Sequence, residues 1–209
     1  MQGVMGHKKS SKRWLDEHFS DPFVKKAQTE GYRSRAVYKL EELCQKDNLL
    51  REGLKIVDLG AAPGGWSQYL AKRLKNSQII AMDILPMEPL PEVEFIQGDF
   101  QEEAVLEQLL QSVNNRGIDL VISDMAPNIS GHEAVDQAKS MYLCELALDF
   151  ARQVSAEQGN FVCKVFQGKG FDDLVSETRA LYKTVKIRKP KASRDRSREV
   201  YVVGLGFKK

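Results

Sequence analysis

The sequence predicts an α/β fold with a mostly parallel, doubly wound sheet. The sheet has seven strands, of which one, near the C-terminus, is antiparallel. Apolar, strand-like runs alternate with amphipathic, helix-like segments from residue 56 to residue 181, which is typical of parallel sheets covered by helices on both faces. The first run ends in a glycine-rich loop, a common feature of ligand-binding α/β proteins. The last two runs have no helix between them, which predicts an antiparallel closing strand.

The chain is predicted to begin with a flexible basic arm over residues 1–13. A single domain over residues 14–209 follows. The arm has no hydrophobic periodicity and carries four Lys and Arg residues, so it cannot bury a core of its own. The length of 209 residues suits one α/β domain. Helices are expected at Trp14–Phe19, at Phe23–Gln28 after the start signal Ser20-Asp21-Pro22, and at Ser34–Cys44.

The remaining elements follow from the length and period of each apolar segment, because short apolar runs indicate buried strands and longer amphipathic segments indicate helices. Strands are expected at residues 56–59, 78–82, 93–96, 118–123, 160–166, 184–189 and 199–206, and helices at residues 66–74, 102–113, 134–154 and 171–181.

The loop Gly60-Ala61-Ala62-Pro63-Gly64-Gly65-Trp66 indicates a nucleotide-like ligand, because glycines let a ligand approach the backbone at the start of a helix. The spacing does not match G-x-G-x-x-G, which disfavours NAD, and no Lys with Ser or Thr follows the glycines, which excludes a P-loop. An adenosine ligand without phosphates remains. S-adenosylmethionine is therefore the expected cofactor.

Acidic residues end or follow the next strands. Asp83 closes the second strand and is placed to accept hydrogen bonds from ribose hydroxyls, while Asp99 and Phe100 follow the third and could flank an adenine. Asp124 follows the fourth strand, in a loop that Pro127 stiffens. Because parallel strands end at one edge of a sheet, these carboxylates should lie near the glycine loop.

Lys164 interrupts a strand that is otherwise apolar on both faces. A buried ammonium group is costly unless it is paired or neutral, so this lysine favours a functional role over a lysine that snorkels from an edge strand. Glu199 is expected at a strand start near the same end, where pairing with an arginine is an equally good interpretation. Lys39 should lie beside the core face of its helix.

The net charge of +2 hides an uneven distribution. Three stretches, Lys8–Arg13, Arg33–Lys39 and Lys183–Arg198, hold fifteen of the 31 Lys and Arg residues and one acidic residue. Such concentration predicts a polyanion partner if the stretches meet in space. The three cysteines are scattered, and with the three histidines they show no metal-ligand spacing. We therefore expect buried free thiols, no metal, no membrane segment and a cytoplasmic protein.

Four motifs are specific in combination. They are Asp58-Leu59-Gly60-Ala61-Ala62-Pro63-Gly64-Gly65-Trp66-Ser67-Gln68, Ser123-Asp124-Met125-Ala126-Pro127-Asn128, Lys164-Val165-Phe166-Gln167-Gly168, and Ser193-Arg194 with Ser197-Arg198-Glu199. In these motifs the sequence closely resembles the FtsJ family of RNA 2′-O-methyltransferases, and the resemblance covers the chain from Arg13 to Gly206.

The resemblance implies a Rossmann-like methyltransferase that modifies the ribose 2′-hydroxyl of a uridine in the A-loop of 23S rRNA, within the assembled large ribosomal subunit. It also implies catalytic roles for Lys39, Asp124, Lys164 and Glu199, and cofactor contacts from Gly64, Trp66, Asp83, Asp99 and Asp124. A monomer is expected, because the basic surface must stay free for RNA. The alternatives are an RNA-binding ribosome assembly factor without catalysis, and a methyltransferase acting on small molecules or proteins.

Overall fold

The structure is a computed structural model that describes residues 21–114 and 117–209. It contains seven strands: β1 Lys55–Leu59, β2 Gln78–Asp83, β3 Val93–Gln97, β4 Ile118–Ser123, β5 Ser155–Phe166, β6 Tyr182–Arg188 and β7 Glu199–Phe207. The helices of the described residues are α1 Pro22–Thr29, α2 Val37–Asp47, α3 Gly65–Arg73, α4 Glu103–Val113, α5 Glu133–Val154 and α6 Phe171–Leu181.

The seven strands form one sheet in the order β3-β2-β1-β4-β5-β7-β6. Strands β1 to β5 pair in parallel, whereas β7 is antiparallel to both of its neighbours, β5 and β6. The predicted sheet with one antiparallel strand is confirmed. Because β7 reverses direction, its first residues lie at the edge where the parallel strands end.

Strand β5 begins earlier than the prediction, at Ser155 instead of residue 160. Its first half pairs irregularly with β4, since the register shifts between Ile118 and Leu120. Gln158 has a positive φ of 65°, a conformation that side chains other than glycine rarely adopt. The polar composition of this half hides the strand in the sequence.

Apolar clusters cover both faces of the sheet. The alternation along β1 sends Val57 and Leu59 to the cluster under α4, α5 and α6, and Ile56 to the cluster under α2 and α3. Burying each such side chain contributes about 1.5–3 kcal/mol. The layers on both faces hold the strand ends, and the loops that follow them, in fixed positions.

The N-terminal helices pack onto the second cluster. Asp21 caps α1 by accepting a hydrogen bond from the Phe23 backbone N–H at 2.9 Å, with Pro22 in the first turn, as the start signal predicts. At the C-terminal end of α2, the fully buried Asp47 carboxylate pairs with Lys186 and Arg188 of β6. The predicted arm of residues 1–13 and the predicted helix Trp14–Phe19 lie outside the described residues.

Cys44, Cys144 and Cys163 are buried free thiols, as expected from their apolar surroundings. None of the helices within residues 21–114 and 117–209 is long and apolar enough to cross a membrane. Within the same ranges, no group of three or more His, Cys, Asp or Glu side chains could hold a metal ion.

Candidate active site

The glycine loop lies at the carboxyl edge of the sheet. Gly60, with φ +79°, follows β1, and a Cβ atom there would approach the Met125 backbone nitrogen to 2.8 Å. Gly64, with φ +99°, is the N-cap of α3. Because Gly60 has no Cβ atom, the loop after β4 packs directly against the loop after β1. A residue with a side chain would clash at this position.

Asp83 ends β2 and organises two loops through its side chain. One carboxylate oxygen accepts a hydrogen bond from the Ala62 N–H and the other from the Leu85 N–H, both at 2.8 Å. Each oxygen keeps a further lone pair for a ligand hydroxyl. Asp99 follows β3 and accepts from the Gln101 N–H at 3.0 Å. Both predicted cofactor carboxylates therefore lie at the predicted edge.

Asp58, on β1 beneath the glycine loop, is a fully buried carboxyl group. One oxygen accepts a hydrogen bond from the Ser67 hydroxyl at 2.7 Å, and the other has no partner among the described residues. The pKa of Asp58 is raised to about 7, mainly by burial; the Ser67 hydrogen bond opposes the rise, and the negative charges of Asp124 and Asp83 contribute to it. The unpartnered oxygen is an acceptor beside the loop.

Lys164 lies inside the sheet, on β5 between β4 and β7, with 9% of its side chain exposed. Its amine donates to the Asp124 backbone carbonyl at 2.5 Å and lies 3.2 Å from the Asp124 carboxylate. Since β5 is an interior strand, the snorkelling alternative is wrong. The buried ammonium is paired, as its burial requires.

Lys39 and Glu199 form a second ion pair beside the first. Lys39 is in the first turn of α2, Glu199 begins β7, and the amine lies 2.7 Å from the carboxylate. The Ser193 hydroxyl donates to the same carboxylate oxygen at 2.8 Å. Glu199 thus pairs with Lys39.

Tyr201 joins the two ion pairs, a role that the sequence does not indicate. Its hydroxyl donates to the Asp124 carboxylate at 2.9 Å, and the Lys39 amine lies 5.9 Å from the centre of its ring. Burial raises the pKa of Tyr201 well above its usual range, and the charges of Asp124 and Glu199 add to this rise. An aromatic residue in an apolar strand is most simply interpreted as core, so its polar end gives no signal in the sequence.

Two residues that are expected near the cofactor have buried side chains. The Trp66 side chain is buried, and its indole N–H donates to the Ala36 carbonyl at 2.8 Å, so only the backbone of Trp66 can contact a cofactor. Phe100 packs edge-on against Phe150 in the core. The expectation that Phe100 flanks an adenine is wrong, because its ring is buried in the core.

A basic cleft of about 520 Å³ opens beside the second ion pair. Arg35 projects into it from the segment before α2, and Arg194 and Arg196 from the segment between β6 and β7, with Lys39 and Glu199 also in its wall. Arg35 is itself anchored by Asp21 and by the Ala192 carbonyl. Two of the three basic stretches therefore meet in space, while the third lies outside the described residues.

The chemistry of this edge fits S-adenosylmethionine. Carboxylates lie at the ends of three strands of this sheet, β2, β3 and β4, at Asp83, Asp99 and Asp124. They suit the ribose hydroxyls, the adenine amine and the positive charges of that molecule. Ile84 and Leu85 are about 60% exposed directly after Asp83, an apolar surface suited to a purine ring.

Comparisons with known proteins agree with this geometry. The model of the family described as FtsJ-like methyltransferase matches residues 32–207. A curated protein from Legionella pneumophila (strain Corby), named Ribosomal RNA large subunit methyltransferase E, is 55% identical over 204 residues, covering 97% of this chain and 99% of that protein.

Solved structures show the same fold. A Plasmodium falciparum crystal structure, described as a ribosomal RNA methyltransferase, has a TM-score of 0.75 and 32% identity, and the match covers 84% of this chain and 98% of that one. Human Methyltransferase-like protein 13 in complex with SAH, at 13% identity and a TM-score of 0.56 over 80% of this chain and 82% of its own, shares the fold alone. The family match and the identity to the Legionella protein show that this chain belongs to the FtsJ-like methyltransferase family.

Proposed function

We propose that the protein transfers a methyl group from S-adenosylmethionine to the ribose 2′-hydroxyl of a uridine in the A-loop of 23S rRNA, within the large ribosomal subunit. The observation that carries this proposal is the convergence of Lys39, Asp124, Lys164 and Glu199 as two adjacent ion pairs at the ligand edge. The family and the name of the Legionella relative support rRNA as the substrate. We further propose that it acts as a monomer in the cytoplasm, with residues 14–209 as one domain.

When bound, S-adenosylmethionine supplies a methyl carbon activated by a positive sulfonium. Gly64, Asp83, Asp99, Asp124 and the backbone of Trp66 would hold it. The chemistry it would supply is methyl transfer, in which the carbon–sulfur bond would be exchanged for a carbon–oxygen bond and the ribose hydroxyl would lose its proton. Holding the reacting atoms in line can supply roughly 7–11 kcal/mol, so rigid positioning by the sheet edge is the main contribution of the protein.

Lys164 is proposed to accept the hydroxyl proton, a step that requires its amine to have lost its own proton to solvent by the time the cofactor is bound. Asp124 orients the amine through its carbonyl and carboxylate, and Lys39 steadies the developing negative charge on oxygen. In the contrary version, Lys164 stays positively charged as an electrostatic stabiliser and the proton leaves to water. A single-turnover pH profile separates the two, because a rate that is flat from mildly acid to alkaline pH excludes the base role.

The basic cleft is proposed to bind the RNA backbone beside the target nucleotide. Arg35, Arg194 and Arg196 line the cleft beside the Lys39–Glu199 pair. A phosphate held by these arginines would place the adjacent ribose close to the reacting groups. The basic residues of the predicted arm would add affinity that does not depend on sequence. Recognition of the particular uridine would then depend on the shape of the folded RNA.

A ribosome assembly factor that binds RNA without catalysis is the second candidate. The buried Lys164–Asp124 pair argues against it, because RNA binding has no use for an ammonium group inside the sheet. The deciding experiment incubates the purified protein and labelled S-adenosylmethionine with large subunits from a strain lacking the protein. Label in 23S rRNA, mapped to one 2′-O-methyluridine by mass spectrometry, supports the enzyme, whereas stable RNA binding without label supports the assembly factor.

A further inference from the structure

Arg33 connects two loops of the cofactor edge through three backbone carbonyls. It lies between α1 and α2, and its guanidinium donates to the Pro63 carbonyl in the glycine loop at 3.2 Å. It also donates to the Glu88 and Pro89 carbonyls at 2.6 and 3.0 Å. Those two carbonyls belong to the loop of residues 84–92, which follows Asp83 and which we call the β2–β3 loop.

The packing around Gly64 shows how closely these parts meet. A Cβ atom on Gly64 would come within 2.9 Å of the Arg33 guanidinium, within 2.8 Å of the Met87 sulfur and within 3.3 Å of Leu90. Met87 is buried with Ala61 and Ala81 in a small cluster of its own. The β2–β3 loop therefore folds back over the glycine loop, and the guanidinium lies at the junction.

The backbone of Arg33 is fixed as well. Its N–H donates to the Gln68 side-chain oxygen at 2.9 Å, and the Gln68 amide donates in return to the Gly31 carbonyl at 2.9 Å. Gln68 belongs to α3, the helix that the glycine loop begins. Helix α3 therefore fixes the backbone of Arg33, and the Arg33 guanidinium in turn contacts the glycine loop from which α3 begins.

We propose that Arg33 is a positioning residue that holds the glycine loop and the β2–β3 loop in the geometry that binds S-adenosylmethionine. A planar guanidinium presents several donors in a fixed arrangement, which a lysine ammonium cannot reproduce across three carbonyls. When the two loops are already ordered in the free protein, binding does not include the entropic cost of ordering them, and affinity is higher. The inference rests on the proposed function, because the ligand is the cofactor of that reaction.

The test is calorimetric binding of S-adenosylhomocysteine to the full chain, with the Arg33→Ala and Arg33→Lys variants. The matched control is Arg51→Ala, which removes a more exposed arginine paired with Asp119 near the opposite edge of the sheet. Arg33→Ala should weaken binding about tenfold, or roughly 1.4 kcal/mol, and Arg33→Lys should restore little of the loss. Arg51→Ala should bind like the unmodified protein.

Steady-state kinetics should show the same division. For Arg33→Ala, the KM for S-adenosylmethionine should rise about tenfold while kcat at saturating cofactor stays within about threefold. An Arg33→Ala variant with a lower melting temperature but unchanged affinity would overturn the inference, because the contacts would then be purely structural. A lower kcat with unchanged affinity would also overturn it. If the unmodified protein did not bind S-adenosylhomocysteine, the proposed function would fail together with the inference.

Discussion

Lys164 and Tyr201 are register partners on the antiparallel strands β5 and β7, and the polar ends of both side chains contact Asp124. Register partners project to the same face of a sheet, so the pairing of the strands determines that amine and hydroxyl lie side by side. Two residues farther along, Phe166 faces Glu199, which brings the second ion pair to the same edge. The sheet register, more than any loop, assembles the site.

Lys164→Ala should lower kcat by at least about 10²-fold, as expected when a group that handles a proton is lost. Affinity for S-adenosylhomocysteine should change little, since Lys164 contacts Asp124 and not the glycine loop. Labelled methyl transfer and calorimetry measure the two effects. Lys183→Ala, which removes an exposed lysine bonded to Gln158, is the matched control. Normal turnover by Lys164→Ala would contradict any direct role for the amine.

Asp124→Ala should damage both catalysis and cofactor binding. The carboxylate contacts the Lys164 amine and the Tyr201 hydroxyl. The Asp124 backbone N–H, which the variant keeps, donates to the Leu59 carbonyl and so places the lost carboxylate beside the glycine loop, where the cofactor is proposed to bind. We expect a loss of kcat of about 10²-fold together with weaker binding of S-adenosylhomocysteine. Asp149→Ala, at an exposed acid on α5, should leave both unchanged. If affinity survived intact, Asp124 would be a catalytic residue without a binding role.

Tyr201→Phe should lower kcat about three- to tenfold, because it removes one hydrogen bond, worth about 1 kcal/mol, from the Asp124 carboxylate. The ring stays in place against Trp66, so the fold should be preserved. Single-turnover rates measure the effect. Tyr182→Phe is the control, since Tyr182 is also buried but pairs with Phe207 at the far end of β7. Equal losses in both variants would indicate general destabilisation instead of positioning.

Stability should fall as pH rises from about 4 to 7 through the titration of Asp58. Burial raises the pKa of this carboxyl to about 7 in the folded protein, against about 3.9 in the unfolded chain. In this window the folded state therefore holds a proton that the unfolded state has lost, so raising the pH favours unfolding, by about 1.4 kcal/mol per unit at most.

The neutral variant Asp58→Asn should flatten this part of the stability profile. Urea unfolding of both proteins at a series of pH values measures the slopes. Asp119→Asn changes a carboxylate near the opposite edge of the sheet and serves as the control. An Asp58→Asn profile as steep as that of the unmodified protein would assign the pH dependence to other groups.

Affinity for an rRNA fragment should fall steeply as salt rises, because each phosphate contact releases counterions. Arg196→Ala, in the wall of the basic cleft, should reduce the slope of log affinity against log salt by about 1. Arg152→Ala removes an arginine paired with Asp149 on α5 and should leave the slope unchanged. If the slope of log affinity against log salt were the same for the two variants, the cleft would not be part of the surface that binds RNA.

The central strands and the glycine loop could be predicted because their residues carry local signals. The apolar run before Gly60 has the length of a buried strand, and the acids after β2 and β4 fall at strand ends in any parallel arrangement. The order of the strands has no such local signal, since it depends on which strands pair in space. The first half of β5 was missed for a related reason, because its polar residues indicate a turn.

The candidate site divides in the same way. Burial of Lys164 could be inferred from the apolar residues around it, whereas Lys39 and Glu199 entered through the family resemblance, because neither a lysine on a helix nor a glutamate after a basic stretch is distinctive. Tyr201 and Arg33 were missed as functional residues. Their importance comes from partners far away in the chain, Asp124 for one and three carbonyls for the other, and only the fold reveals these.

The Lys39–Glu199 contact spans most of the polypeptide, since one partner precedes the first strand of the sheet and the other begins the last. During synthesis, the segment that carries Glu199 and Tyr201 leaves the exit tunnel of the ribosome late. A growing chain therefore cannot complete the two ion pairs and their hydrogen bonds until its last strand has been released. Premature termination ahead of residue 199 should therefore yield an inactive polypeptide, because β7 supplies Glu199 and Tyr201 and lies inside the sheet between β5 and β6.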